Sequence, residues 1–378
     1  MSSSQVTPES QVLKPQTRSA GRSSRRYTPY HKTPKSRPLR VTPRGVPRTA
    51  AGEEDSAAAG TTPVSGTARR RGEASTTTGT VPQIKADLNA ILNKTWRVYR
   101  ASPLYDFSST PAKLKKYSRF LSAHMEAESM KGFAVGVEAD IAKNATISVF
   151  KGLQVNQADP ESLHITVKGK PKPGKKELPL VLEAFLLSVS IDRDARRFVK
   201  EEFTYYPILL VKGAKSLTGY LCAFLETEFD CYIKEMEFSS MNLGWMIAMW
   251  SGFVPDRTRK PVQLVFKVPD VCEGLSQISV TIDAQDCKDL WDCICEENAE
   301  EFHEEQVVAF MKSLESHFYQ HFKINLAKLT LSQTATAIAL AGTEGKVKIF
   351  SMTHLKTVLQ FLTQLSWERF MDAVMKSY

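Results

Sequence analysis

The stretch Leu163 to Ser190 reads LHITVKGKPKPGKKELPLVLEAFLLSVS. It is two apolar segments, Leu163–Lys168 and Leu178–Ser190, around a loop of glycine, proline and lysine. Both segments predict strands. From Phe133 to Val211 the apolar period is two, and the pattern extends to Phe133–Val137, Thr146–Leu153 and Tyr205–Val211. Short strands in close series predict antiparallel meanders, because a parallel crossover needs a dozen or more residues.

The loop between the two segments matches G-x-x-x-x-G-K at Gly169–Lys175, but a phosphate cradle is excluded. Lys176 stands where a magnesium-binding hydroxyl belongs, Pro171 and Pro173 remove backbone donors, and no helix opens afterwards. Five lysines in nine residues, Lys168, Lys170, Lys172, Lys175 and Lys176, make a basic loop. It is either a solvated connection or a polyanion contact, with Lys168, Lys170 and Lys172 as candidate phosphate ligands.

Outward from this core the period changes to that of a helix. Ile84, Leu88, Ile91, Leu92, Thr95, Trp96 and Tyr99 fall on one helical face, stopped by Ser102-Pro103. Thr110-Pro111 caps a second helix with Leu114, Tyr117, Leu121, His124 and Met125 on its stripe and Gly132 at its end. A helix at Leu217–Thr227 and a strand at Cys231–Phe238 come next. Met241–Trp250, MNLGWMIAMW, is apolar all round and predicts a helix buried on most sides, with Trp245 and Trp250 in the core. Strands at Val262–Val268 and Ile278–Ile282 precede helices at Gln285–Cys295 and Glu304–Phe322. Three strands are expected at Phe322–Leu331, Thr334–Ala341 and Lys346–Phe350, then a helix carrying Leu355, Val358, Leu359, Leu362 and Leu365. The class is α+β, with largely antiparallel sheets packed by helices.

The charge is uneven. Residues 1–80 hold 14 Lys and Arg against five acids, so the chain's whole formal charge of +9 sits there and the other 298 residues sum to zero. The same segment is rich in Ser, Thr, Pro and Gly and lacks periodic apolar residues, which predicts a disordered basic tail. Thr28, Thr33 and Thr42 each precede proline with a basic residue close by. They are candidate sites for proline-directed kinases, or chance matches in a Pro- and Thr-rich linker. The expected organisation is a tail at 1–80, an N-terminal α/β region at 81–255 and a C-terminal α/β region at 256–378 that carries a partner-binding sheet.

Several classes of chemistry lack their residues. No apolar run approaches the roughly 20 residues of a membrane span, and the N-terminus carries no secretory pattern. Among the six cysteines there is no Cys-x-x-Cys pair, and Cys293 and Cys295 point about 200° apart on a helix. His317 and His321 lie at i, i+4 but flank an apolar stripe, which reads as an amphipathic edge. No nucleophile elbow or dinucleotide loop occurs. The expectation is a protein without catalysis, metal, cofactor or small-molecule substrate.

In Lys346-Val-Lys-Ile-Phe350, Lys346 and Lys348 share one face, and Val347 and Ile349 the other. Such lysines either protect a sheet edge or contact phosphate. Thr334–Ala341, read as one strand, aligns Ala335, Ala337, Ala339 and Ala341, a face for close approach of this chain's final helix or of another subunit.

Five groups of residues in order carry a family resemblance: Ser102-Pro-Leu-Tyr-Asp-Phe with Leu114-Lys-Lys-Tyr-Ser-Arg; Phe229-Asp-Cys-Tyr; Asn242-Leu-Gly-Trp-Met-Ile-Ala-Met-Trp; Ala309-Phe-Met leading to Ser316-His-Phe-Tyr-Gln-His-Phe-Lys-Ile; and Gly345-Lys-Val-Lys-Ile. From about residue 84 onward the chain resembles the vertebrate centromere protein L family. The resemblance implies a nuclear, non-enzymatic subunit of the constitutive centromere-associated network at the inner kinetochore. It implies pairing with centromere protein N through the C-terminal region, association with centromere protein C and the H-I-K-M subcomplex, and a basic surface toward the centromeric nucleosome. On that reading Ala335, Ala337, Ala339, Val347 and Ile349 are candidate partner residues, and Lys346 and Lys348 candidate DNA contacts. The alternative is a stand-alone nucleic-acid-binding module.

Overall fold

Trp96 is fully buried at the middle of the sheet, in a strand and not in the expected helix. The structure, a computed structural model, describes residues 87–131, 141–156, 159–171, 177–190, 199–251, 253, 260–295 and 303–376. The tail with Thr28, Thr33 and Thr42, the strand expected at Phe133–Val137, and Lys172 lie outside the described residues.

The chain leaves the expected helix at Asn93, whose φ of 58° is left-handed and ends the short turn that seats Ile91 and Leu92. Strand β1 then runs Thr95–Ala101. Trp96 and Val98 point to one face, and the Trp96 indole N–H donates to the Ile91 carbonyl at 2.8 Å. The apolar spacing that fits a helix over 84–99 also fits a turn followed by a period-two strand, and burial selects the second.

Around β1 an eleven-stranded sheet forms. It uses β3 (Ile141–Phe150), β4 (Ser162–Gly169), β5 (Leu180–Leu187), β7 (Ile208–Gly213), β8 (Ile233–Glu235), β9 (Val262–Lys267), β10 (Gln277–Ile282), β11 (Thr330–Ala335), β12 (Ala339–Gly342) and β13 (Lys346–Ile349). The order is β10-β9-β11-β12-β13-β1-β7-β5-β4-β3, and every pair is antiparallel. On one edge of β1 two strands share the pairing, β13 against Thr95–Arg97 and β8 against Tyr99–Ala101. Between them Gly345 accepts from the Val98 N–H at 2.8 Å with φ of 70°. A small ribbon pairs β2 (Leu104–Tyr105) with β6 (Phe203–Thr204).

Helices cover the two faces unequally. On one face α1 (Pro111–Lys131) and α2 (Lys215–Phe229) pack against Leu182, Ala184, Leu209 and Val211. On the other, α3 (Ser240–Ser251), α4 (Ala284–Ile294), α5 (Glu304–Phe322) and α6 (Leu355–Met375) enclose a core that includes Trp96, Phe185, Leu264, Val347 and Ile349. Trp250 is buried there, edge-on to Phe361. Trp245, expected in the core, is only partly buried and packs at its margin.

Two of the expected C-terminal strands differ. α5 continues through Phe322 and is capped by Lys323 in the left-handed region, so β11 starts only at Thr330. Thr334–Ala341 is not one strand. It folds back at Thr336–Ile338 into β11 and β12, where the Thr336 hydroxyl accepts from the Ile338 and Ala339 N–H groups. That hydroxyl does the work usually left to glycine or asparagine, and the sequence has neither there. The expected alanine face therefore does not form. The meander β11-β12-β13 also has no free edge, because β9 and β1 pair with its flanks. The outer edges of the sheet are β10 and β3.

Candidate nucleic-acid interface

Register fixes which side chains share a face. Leu264 and Phe266 of β9, Val347 and Ile349 of β13, and Trp96 and Val98 of β1 face the core formed with α3 to α6. Gln263, Val265 and Lys267, then Ala335, Leu340, Lys346, Lys348, Thr95 and Arg97 occupy the opposite face. Val265 is buried there, yet it belongs to neither helical core. Among the described residues no helix packs on this part of the sheet.

The face is basic and carries an aromatic. Two cations lie over the Phe350 ring, Lys260 Nζ 4.8 Å and Lys348 Nζ 5.5 Å from its centroid. Lys346 sits beside Arg97 across the β1–β13 pair. Each has an acidic neighbour: Lys346 pairs with Glu344 and holds its carboxyl below the usual range, and Arg97 Nη1 is 3.5 Å from Glu235. Both pairs are solvent-exposed, so their attraction is weak and salt-screened and leaves the cations available to a stronger polyanion. Burial raises the Tyr99 phenol to about 12, helped by its hydrogen bond to Glu235, and fixes Glu235 in place.

The sequence-derived lysines do not converge. Lys168 shares a face with His164 and Phe185, and register carries that face through Leu210 and Val98 to the Val347 side. Lys168 is therefore on the other side of the sheet from Lys346 and Lys348, and four strand spacings, about 19 Å, away. Lys170 is half-buried where the loop begins. Near Lys168 the cations are otherwise engaged. Burial pushes Glu183 up, but the His164 ring 3.4 Å away and the hydrogen bond from Lys94 at 2.6 Å outweigh it and hold the carboxyl low.

The alanine and apolar candidates divide too. Ala339, Val347 and Ile349 are 1 % exposed and lie in the core under this chain's own helices. Ala337 is in the turn, and Ala335 alone joins the helix-free face. Lys260, Lys267, Arg97 and Phe350 were not among the sequence candidates. Period two in Val262–Lys267 sets Lys267 opposite Leu264 and Phe266, a legible signal; Arg97 was hidden by the helical reading of β1.

Elsewhere, the His317 and His321 rings meet tilted by 49°, with centroids 4.4 Å apart. Among the described residues no group of three or more His, Cys, Asp or Glu side chains could hold a metal, and no helix is long and apolar enough to cross a membrane.

The model of the centromere protein L family matches residues 90–374. The chain belongs to this family. It is 35 % identical over 278 residues to centromere protein L of Gallus gallus, covering 73 % of this chain and 79 % of that one. Against the Homo sapiens protein the figures are 35 % over 277 residues, 73 % and 79 %. Against Xenopus tropicalis they are 32 % over 347 residues, 91 % and 88 %. The family match therefore takes in both faces of the sheet and all six helices nearly to the end of α6.

Proposed function

We propose that the chain is a non-enzymatic centromere subunit of the constitutive centromere-associated network, working in the nucleus at the inner kinetochore. In this reading it pairs with centromere protein N, joins centromere protein C and the H-I-K-M subcomplex, and helps attach the assembly to centromeric chromatin. Membership in the centromere protein L family supports the centromeric role. The observation that carries the DNA-facing part is the Phe350 ring with Lys260 and Lys348 gathered over it on a helix-free sheet face. Cations beside an aromatic suit a sugar–phosphate backbone and exposed bases.

Pairing has its own support. The outer edge of β10, Gln277–Ile282, carries no charge, no proline and no irregularity of register against β9. Such an edge offers unpaired N–H and C=O groups to an incoming strand. A body with no net charge outside residues 1–80 binds DNA weakly by itself, so the partner completes the basic surface.

One experiment separates these parts. Lys346→Glu with Lys348→Glu should leave co-elution with centromere protein N intact and lower the salt slope of DNA binding by the pair by about two. Ser279→Lys with Thr281→Lys on β10 should abolish co-elution without lowering the melting temperature. Loss of pairing in the first variant, or unchanged pairing in the second, overturns the assignment. A chain lacking residues 1–80 that keeps full DNA affinity alone would favour the stand-alone module instead.

A further inference from the structure

A cavity of about 420 Å³ opens between α3, the start of α5 and α6. α3 lines it with Asn242, Trp245 and Met249, at i, i+3 and i+7, and α6 with Phe361, Leu365 and Glu368, at i, i+4 and i+7, so each helix gives it one face. Leu365 is buried and Trp245, Met249 and Phe361 are half-buried, and these side chains make an apolar floor. The Phe361 ring is set by Trp250, which meets it edge-on with centroids 5.9 Å apart. Trp245 thus leaves the core, where its apolar neighbours predict it, for the wall of a cavity.

The rim is anionic. Glu304 of α5 and Glu368 of α6 are exposed at the mouth, and among the described residues that line the cavity there is no lysine, arginine or histidine. Among the described residues no cation lies within ion-pair distance of either carboxylate. Glu368 Oε1 accepts from the Gln364 amide at 3.1 Å, which holds the carboxylate on the rim. Arg369 adjoins the wall: its guanidinium donates to the Asn242 side-chain oxygen at 3.0 Å, and Glu237 and Glu368 both act on it. Arg369 therefore offsets part of the Glu368 charge, while Glu304 has no partner among the described residues.

We propose that this cavity receives an arginine side chain from a basic segment of a partner protein. The aliphatic stem lies on Met249 and Leu365, the guanidinium stacks on Trp245, and its N–H groups donate to Glu304 and Glu368. A guanidinium suits this site better than an ammonium, because it is planar, sheds water more easily and stacks on an aromatic face. Carboxylates at the mouth repel phosphate, so a nucleic acid is excluded as the occupant. The inference goes beyond the centromeric reading above. On the Phe350 face the protein offers cations to a polyanion, and here it offers anions to a basic protein segment.

The test uses the full chain, and the probe is the fluorescent peptide Gly-Ala-Arg-Leu-Arg-Ala-Gly, followed by anisotropy. Glu304→Gln with Glu368→Gln, both at exposed positions where the fold is kept, should weaken binding at least about tenfold. Trp245→Leu, which keeps an apolar floor but removes the aromatic face, should weaken it about fivefold. The peptide with lysine in place of both arginines should bind about fivefold more weakly than the arginine peptide. Asp270→Asn with Glu273→Gln removes as many charges from the exposed β9–β10 loop and should leave the affinity unchanged. Absence of binding, or parent affinity in the Glu304 and Glu368 double variant or in Trp245→Leu, overturns the proposal. Equal affinity for the lysine peptide removes the arginine assignment. Weakening by the loop variant equal to that of the cavity variant would reduce the binding to general charge attraction, and the site falls. If spermidine displaces the peptide at an equal or lower concentration, the cavity is a small-cation site and the partner assignment falls.

Discussion

The two halves of the sheet bury their strands differently, and their sequences differ accordingly. β5 and β7 have helices on both faces, and they read as apolar runs, LVLEAFLL and ILLVKG, with consecutive residues buried. β13 and β12 have helices on one face, and KVKI and ALAG alternate buried with half-buried residues. A strand covered twice is apolar at nearly every position, with a buried charge such as Glu183 tolerated only when paired, whereas a strand covered once needs apolar side chains only at every second one. The half with one bare face is the half in which Lys260 and Lys348 gather over an aromatic ring. In the other half the buried acid Glu183 takes up Lys94 and His164.

The largest effect should come from putting a charge into each half. Ala184 is fully buried between α1, α2 and the sheet, and Ala184→Lys should cost more than about 4 kcal/mol and leave no folded protein by circular dichroism. Ala335→Lys on the helix-free face should stay within about 1 kcal/mol of the parent in urea denaturation. Equal losses would mean that the second face is covered as well. Within the helical core, Trp250→Ala should lose about 3–5 kcal/mol, and Trp245→Ala, at the margin, clearly less.

A smaller loss is expected where the halves join. A Cβ on Gly345 would stand 2.2 Å from the Met236 carbonyl oxygen, in a backbone conformation that side chains rarely adopt. Gly345→Ala should cost about 2–4 kcal/mol and increase hydrogen exchange at Val98 and Met236, whose N–H groups bond across this junction. Protection unchanged at both amides would show that β13 and β8 hold β1 independently.

The smallest effect is a pH dependence at the start of α6, the helix that spans both halves. Burial lowers the pKa of His354, whose Nδ1 lies 2.9 Å from the Ser351 hydroxyl and whose ring rests on Phe253. The folded state resists protonation, so the unfolded chain binds more protons as pH falls below the ordinary histidine value of 6.5. The contribution is whole above that value and fades as pH drops through the lowered one. His354→Gln should flatten the fall in melting temperature between about pH 7 and 5. An identical slope in the variant would remove His354 from the account.

Much of this architecture is legible in the sequence, and the failures share one cause. The helices at Pro111, Lys215, Ser240, Ala284, Glu304 and Leu355 and the strands from Ser162 to Gly213 follow from local period and caps. Trp96 failed because its neighbours satisfy two periods at once, and only the surrounding strands β7, β13 and β8 select one. Thr334–Ala341 failed because its turn rests on the Thr336 hydroxyl, a signal invisible without the partner strand β9 in place. For the site, the sequence marked Lys346 and Lys348 but grouped them with Lys168, since sequence distance says nothing about which side of a sheet a lysine occupies.

By itself the sequence determined the α+β class, the antiparallel pairing, the concentration of net charge in residues 1–80 and the family resemblance, because composition and periodicity are properties of neighbouring residues. The tertiary structure alone decided that both regions share one sheet, that Val347 and Ile349 face inward, that Phe350 gathers Lys260 and Lys348, and that Arg100 meets Lys234. Those relations join residues from about 90 to more than 130 positions apart, except for the pair Lys348 and Phe350. They exist only once β1 has entered the middle of the sheet and set the register on both of its edges.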